Sequence, residues 1–401
     1  MDSVHIPNLL QGITTGMRSA FMPLFSKELG ADDAMIGIIV HLPALQEMLV
    51  NIPAGPYTST FGPRTGMNSG MLVVAAGAIM TALCWNALTL SVANFTVGGG
   101  MGLFVLARHV MLARIVDKDQ RGRLMSMVGG GERWASSIGP LFGGILVEMA
   151  GTRWCSFATV PAAIACVYVM SNSSRIHQLE AEHNEQFLAR RTNEEKDKLN
   201  SAPISLTEVV HRHGGLIFRV GTYAMNIIQL RTCRKLLLPL AAMSAGLRPS
   251  VVGLMLSLSF AVDATLFFLG GMIMDKFGRK YSAIPTSVNL GFAFFLLGQA
   301  QGMWSLAAAS IAFGLADSLG AGLLLTLNAD YAPKDAGPEF IGVFRTVQDS
   351  GQLFGPLLAS WLMLATSFQT TCFVFGTLGL LNAIWALFLI PADDESTDTI
   401  Q

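Results

Sequence analysis

Gly270-Gly271-Met272-Ile273-Met274-Asp275-Lys276-Phe277-Gly278-Arg279-Lys280 sets one acid beside three bases among glycines. The apolar run from Val251 to Leu269 leads into it, and a second apolar run follows it. Glycines permit tight backbone bends, and bases at the end of an apolar run mark a membrane–water boundary. The stretch therefore reads as a short loop at a membrane face. Stepping back 216 residues, Gly55-Pro56-Tyr57-Thr58-Ser59-Thr60-Phe61-Gly62-Pro63-Arg64 is a worn copy of it. Gly55, Phe61 and Gly62 match Gly271, Phe277 and Gly278, while Ser59 stands where Asp275 does.

Composition agrees. Of 401 residues 52% are hydrophobic and 13% charged, with a mean hydropathy of +0.50. A soluble domain carries about 25% charged residues, so most of this chain is expected out of water. The net charge of -1 leaves no footprint for a nucleic acid. Cys84, Cys155, Cys166, Cys233 and Cys372 are scattered without paired spacing and read as packing residues, not disulfides or metal ligands. No Walker loop, nucleotide fingerprint or metal-ligand cluster occurs, so ATP drive, cofactors and enzymatic turnover are not expected. The first apolar run is full length and carries Arg18, which argues against a cleavable signal peptide.

A spanning helix needs about 20 apolar residues. Twelve candidate spans fit: 5–27, 34–58, 66–86, 89–115, 123–149, 153–171, 214–245, 250–274, 281–301, 303–331, 339–366 and 369–391. The expected fold is an all-α integral membrane protein with 12 transmembrane helices in two six-helix pseudo-repeats. Residues 1–171 form the N-terminal bundle, the charged segment 172–213 a solvated linker, and 214–401 the C-terminal bundle with a short tail. Loops on the linker's side hold most lysines and arginines, Arg64, Lys276, Arg279 and Lys280 among them. The other side has Lys27, Arg153 and Arg248. The linker's side is therefore cytoplasmic, with both termini on it.

The offset of 216 also pairs Arg18 with Arg234, Pro23 with Pro239, Gly30 with Gly246 and Gly37 with Gly253. It pairs Lys118 with Lys334, Asp119 with Asp335, Gly139 with Gly355 and Pro140 with Pro356. Chance apolar similarity does not keep arginines, prolines and loop charges in one register. Two parallel repeats describe a transporter with a site at the repeat interface. The pattern G-x-x-x-D-K-x-G-R-K resembles the loop signature of the major facilitator superfamily, and the resemblance covers almost the whole chain. Gly139-Pro140-Leu141-Phe142-Gly143-Gly144 resembles the fifth-helix motif of drug/proton antiporters; close helix packing is the alternative reading. The resemblance implies a monomer that moves small organic solutes, with protons, through a plasma or inner membrane. It also gives Asp275, with Arg279 and Lys280, a latch role in gating against Arg121 and Arg123. Ser59 cannot take that role as an anion.

A charge at the bilayer centre costs about 2.5–3.5 kcal/mol on insertion scales, so charges that persist there are functional candidates. Arg18 lies about 15 Å below the outer face, counted from Glu28, and Arg234 similarly. These two, with Arg108 and Asp317 as secondary candidates, are the expected substrate contacts; structural struts are the alternative. Glu47 and Asp263 are repeat mates about 18 Å from the cytoplasmic face. The resemblance implies that the second span faces the eleventh and the fifth faces the eighth; with depths matched, this predicts two clusters between the halves, Glu47 with Asp349 and Arg345, and Asp263 with Arg133 and Glu132. Carboxylates sharing one arginine could hold a coupling proton between them. Glu47, Asp263, Glu132 and Asp349 are thus expected in proton coupling, and Arg133, Arg345, Gly139 and Pro140 in gating. His41, Gln46 and Asn51 add polar groups to the second span. Proton-coupled export (antiport) is the first functional reading. Proton symport or facilitated uptake of an organic anion is the second, and a non-transporting sensor or scaffold is the rival of another class.

Overall fold

The computed structural model describes residues 2–115, 121–173, 206–331 and 337–390. Most of the expected linker, and Lys118, Asp119, Lys334 and Asp335, lie outside the described residues. So do the side chains of Asn51, Ser59, Arg121 and Arg123, and with them the expected partners of the Asp275 latch.

Six helices come first: α1 (Asp2–Glu28), α2 (Asp33–Phe61), α3 (Pro63–Leu83), α4 (Ala87–Ile115), α5 (Arg121–Ala150) and α6 (Thr152–Ser171). Beyond the linker come α7 (Leu206–Leu216), a π-helical turn (Ile217–Gly221), α8 (Thr222–Ser244), α9 (Pro249–Phe277) and α10 (Lys280–Gly298). The chain continues as α11 (Met303–Leu319), α12 (Leu323–Asp330), α13 (Gly337–Ala365) and α14 (Phe368–Leu389). Twelve spans result, because α7 runs through the π turn into α8 and α11 with α12 makes one interrupted span. Among the described residues, seven helices are long and apolar enough to cross a membrane alone, namely α2, α3, α4, α6, α9, α10 and α14.

Two compact units emerge. One contains residues 1–31 and 39–203, the other 32–38 and 204–401. Residues 32–38 go with the second because Gly37 is close against Ser360 and Leu236.

Each unit packs to the same plan. In the first, α1 lies on α5 and α6, and α3 on α4 and α6. In the second, α8 lies on α13 and α14, and α10 on α11 and α14. The repeat reaches single contacts. A Cβ on Gly139 would stand 2.3 Å from the Ile13 carbonyl oxygen, and one on Gly355 3.1 Å from the Gln229 carbonyl oxygen. Gln229 is the offset mate of Ile13. Likewise Gly98 abuts the Pro43 carbonyl and Gly314 the Ser259 carbonyl, at 2.3 and 2.5 Å from the added Cβ. Small residues let helix backbones approach closely where apolar lipid supplies no hydrophobic drive. Turns repeat too, with φ of 86° at Gly62 and 94° at Gly278, a region other L-residues rarely adopt.

Apolar side chains complete the packing. Met67, Met71, Phe104, Met111, Cys166 and Met170 form a buried cluster joining α3, α4 and α6. Phe294 of α10 meets Phe313 of α11 at 4.8 Å and Phe375 of α14 at 5.6 Å. All five cysteines are buried and unbridged.

Two expectations change. The charged stretch 270–280 is mostly helix, since α9 runs to Phe277 and only Gly278 and Arg279 make the turn. No proline interrupts it, and the helix keeps its own hydrogen bonds to the membrane face. The expected single span 303–331 is broken at Gly320-Ala321-Gly322, where Gly322 has φ of +81°.

Gly139→Val is expected to destabilise the protein by about 1–3 kcal/mol through overpacking. Gly342→Ala, with nothing within 4 Å of the new Cβ, should be neutral or slightly stabilising. Thermal unfolding of both variants in detergent checks the contrast.

Candidate functional site

In the first unit the polar residues of α1 fall at Asn8, Gln11, Thr15 and Arg18. Spacings of three, four and three residues put them on one helical face. That face meets α4. Arg108 Nη1 donates to Asn8 Oδ1, to Gln11 Oε1 at 3.4 Å and to Glu132 Oε2 on α5 at 3.1 Å. Gln11 Nε2 reaches Thr15 Oγ1 at 3.4 Å. The Phe104 ring lies 5.9 Å from the same guanidinium. The Arg108 side chain is 6% exposed, while that of Glu132 is 33% exposed. The cation is thus fixed in the protein and its carboxylate partner remains accessible. Higher on α1, Arg18 Nη2 donates to Asn94 Oδ1 of α4, and Asn94 Nδ2 donates to the Ile39 carbonyl at 3.1 Å.

In the second unit Asp317, near the end of α11, holds two arginines of α8. Arg231 Nε donates to Asp317 Oδ1 at 2.9 Å, and Arg234 Nη1 reaches Oδ2 at 2.5 Å. Arg234 Nη1 also donates to Ser259 Oγ of α9 at 3.1 Å, and its guanidinium sits 4.8 Å from the Phe260 ring centre. The helix break beside Asp317 frees backbone carbonyls, which cost several kcal/mol each if unsatisfied in a membrane. Arg231 Nη2 donates to the Gly320 carbonyl at 3.1 Å, and Ser282 Oγ to the Leu319 carbonyl at 2.5 Å. Gly270 permits α9 to approach there, since its Cβ would stand 2.5 Å from the Ser318 carbonyl oxygen. Arg18 Nη1, Arg108 Nε and Arg234 Nε are buried donors with no hydrogen-bond acceptor among the described residues.

The sequence-predicted residues divide accordingly. Arg18, Arg108, Arg234 and Asp317 all lie in these two networks. Glu132 was expected beside Asp263 and Arg133; within its own unit it makes an ion pair with Arg108, a partner the sequence reading did not name. Asp263 is buried on α9, and Glu47 packs over Gly102 of α4. Asp349 accepts from Gln348 Nε2 at 3.2 Å. Arg345 and Asp275 are exposed, and Arg133, Arg279 and Lys280 half-buried. Gly139 and Pro140 lie at the α1–α5 crossing, Pro140 against Gly16. Gly355 makes the matching close contact in the second unit, so close packing accounts for these positions in both halves. Sequence reasoning passed over Asn8, Gln11, Asn94, Arg231 and Ser259. The α1 stripe was visible as a three–four spacing, and Arg231 as a base one turn from Arg234.

Comparison with known proteins fits this geometry. The family profile described as Major Facilitator Superfamily matches residues 8–216 and 231–400. An uncharacterised MFS-type transporter of Methanocaldococcus jannaschii is 20% identical over 383 residues, covering 92% of this chain and 93% of that one. The multidrug resistance protein MdtH of Yersinia enterocolitica is 30% identical over 151 residues, 37% of this chain and 36% of MdtH. The second match thus spans about a third of its relative. The inward-open xylose transporter XylE of E. coli superposes with a TM-score of 0.75 at 16% identity, over 100% of this chain and 98% of XylE. A POT family transporter in complex with a thioalcohol-conjugated peptide gives 0.72 at 11% identity, over 100% of this chain and 96% of that one. The chain belongs to the major facilitator superfamily. It is a multi-pass membrane transporter with that family's 12-helix fold.

Asp317→Ala leaves the buried Arg234 and the half-buried Arg231 without their carboxylate, and breaking a buried pair in this way costs about 3–5 kcal/mol. Arg234→Met added to Asp317→Ala should recover part of the loss. Unfolding curves of the single and double variants measure the recovery.

Proposed function

We propose that this chain exports small organic solutes in exchange for protons, by alternating access across a plasma or inner membrane. The observation that carries the reading is the Arg108–Glu132 pair, with its fixed cation and accessible carboxylate. A proton on Glu132 cancels the ion pair and leaves Arg108 held by the amide oxygens of Asn8 and Gln11. A solute offering a cation or several donors competes with that proton for one carboxylate, which is the condition for exchange. The partial likeness to a multidrug resistance protein supports a solute of this kind.

Glu47, Asp263 and Asp349 are further coupling carboxylates in this proposal. Arg133, Arg345, Asp275, Arg279 and Lys280 serve gating. The two bundles are 1–171 and 214–401, tethered by a cytoplasmic linker, with both termini cytoplasmic and the monomer as the working unit.

Uptake of an organic anion is the second reading. It is favoured by Arg231 and Arg234, two guanidinium groups on the single carboxylate of Asp317.

Proteoliposomes with an imposed pH gradient and a mixed panel of organic cations and anions test the proposal. Wild-type flux should depend on the gradient and run opposite to the proton. Glu132→Gln should reduce it to the level of protein-free liposomes while solute binding persists. Gradient-independent flux, equal in both proteins, would return Glu132 to a structural role.

A further inference from the structure

The turn between α9 and α10 encloses a cavity of about 640 Å³. Its polar wall is Asp275, Lys276, Arg279 and Lys280, three bases against one acid. Its apolar wall includes Phe277, Tyr281, Ile284 and Leu387, the last from α14. The two walls suit different halves of one molecule. Beyond the bases, α10 begins at Lys280 without a side-chain cap, so the positive end of its dipole adds to theirs. On the apolar side Phe277 is 55% exposed, Tyr281 63% and Leu387 46%. Phe277 and Tyr281 pair at 6.2 Å, and Lys276 Nζ lies 5.1 Å from the Phe277 ring centre. Exposed aromatic rings beside bases at the end of a spanning helix are placed for the headgroup level of a bilayer.

We propose that this cavity binds an anionic phospholipid, its phosphate at Lys276, Arg279 and Lys280 and its acyl chains along Tyr281, Ile284 and Leu387. A free phosphate would use the basic wall alone and leave the exposed apolar wall unexplained. A zwitterionic lipid would bring its own cation to a wall that already has an excess of positive charge. Basic pockets at membrane-protein faces are a recurrent setting for such headgroups. The site shares no residue with the Arg108 and Asp317 networks; Asp275, Arg279 and Lys280 are also given a gating role above, but the lipid site does not rest on the direction or coupling of transport.

The test uses the full chain with Tyr281→Trp as a local reporter, reconstituted with brominated phosphatidylglycerol or brominated phosphatidylcholine. Quenching of the added tryptophan, taken relative to the protein without it, should favour phosphatidylglycerol by at least about five-fold, since one base near a membrane surface already gives that much and the wall has a net excess of two. Lys276→Gln at an exposed position with Lys280→Gln at a half-buried one should bring the ratio near one. Because a tryptophan at the site could itself disturb binding, native mass spectrometry of the protein with unaltered Tyr281 provides a second readout. Phosphatidylglycerol should stay bound at energies that strip phosphatidylcholine, and the double variant should lose this retention. Equal quenching by both lipids, or a preference that survives the double variant, would overturn the proposal. Loss of the preference to inorganic phosphate at constant ionic strength would overturn it in favour of a free-anion site.

Discussion

The carboxylate of Asp317 holds two guanidinium groups, and the second bundle is arranged around that grip. Asp317 lies near the end of α11, and both arginines come from α8. With the carboxylate in place, Arg231 can also cover the Gly320 carbonyl at the break between α11 and α12. Arg234 can turn to Ser259 on α9. One acid thus ties three spans together and makes a broken helix tolerable in a membrane, where freed backbone groups have no water to turn to. Gly270 and Gly320 belong to the same arrangement, since Cβ atoms there would meet the Ser318 carbonyl or the Arg231 guanidinium.

The first bundle keeps the packing and changes the charges. Its glycine crossings recur at one offset, yet Arg18 is answered by Asn94, a neutral amide, where Arg234 has Asp317. Its carboxylate, Glu132, comes from α5 and meets Arg108 instead. The two repeats therefore share a frame and differ in their polar contents. Such a division suits a transporter whose halves move alike and whose chemistry is unequal. It is also why the offset that aligned the backbone contacts did not transfer the ion pairs.

The frame was legible in the sequence because its causes are local. Apolar length set the twelve spans, and glycines in register set the repeat, as at Gly139 and Gly355 or Gly62 and Gly278. Charge partners were less legible. Counting residues from a helix end gives depth, and depth placed Glu132 level with Asp263 and Arg133. It does not give the direction in which a side chain leaves its helix, so the pair of Glu132 with Arg108 of its own unit was not foreseen. The break at Gly320-Ala321-Gly322 was hidden for a similar reason. Two glycines alone do not interrupt a span, and this interruption needs Arg231 and Ser282 from other helices to satisfy the carbonyls.

In the proposed cycle the polar face of α1 meets solute from both sides of the membrane in turn. Thr15 is exposed on that face between Gln11 and Arg18, and the five native cysteines are buried. The decisive measurement is labelling of Thr15→Cys by a membrane-impermeant maleimide, in right-side-out and inverted vesicles. Alternating access requires reaction from both faces, with the balance moved by a pH gradient. Reaction from one face only, whatever the gradient, would contradict alternating access and leave the fold without a transport cycle.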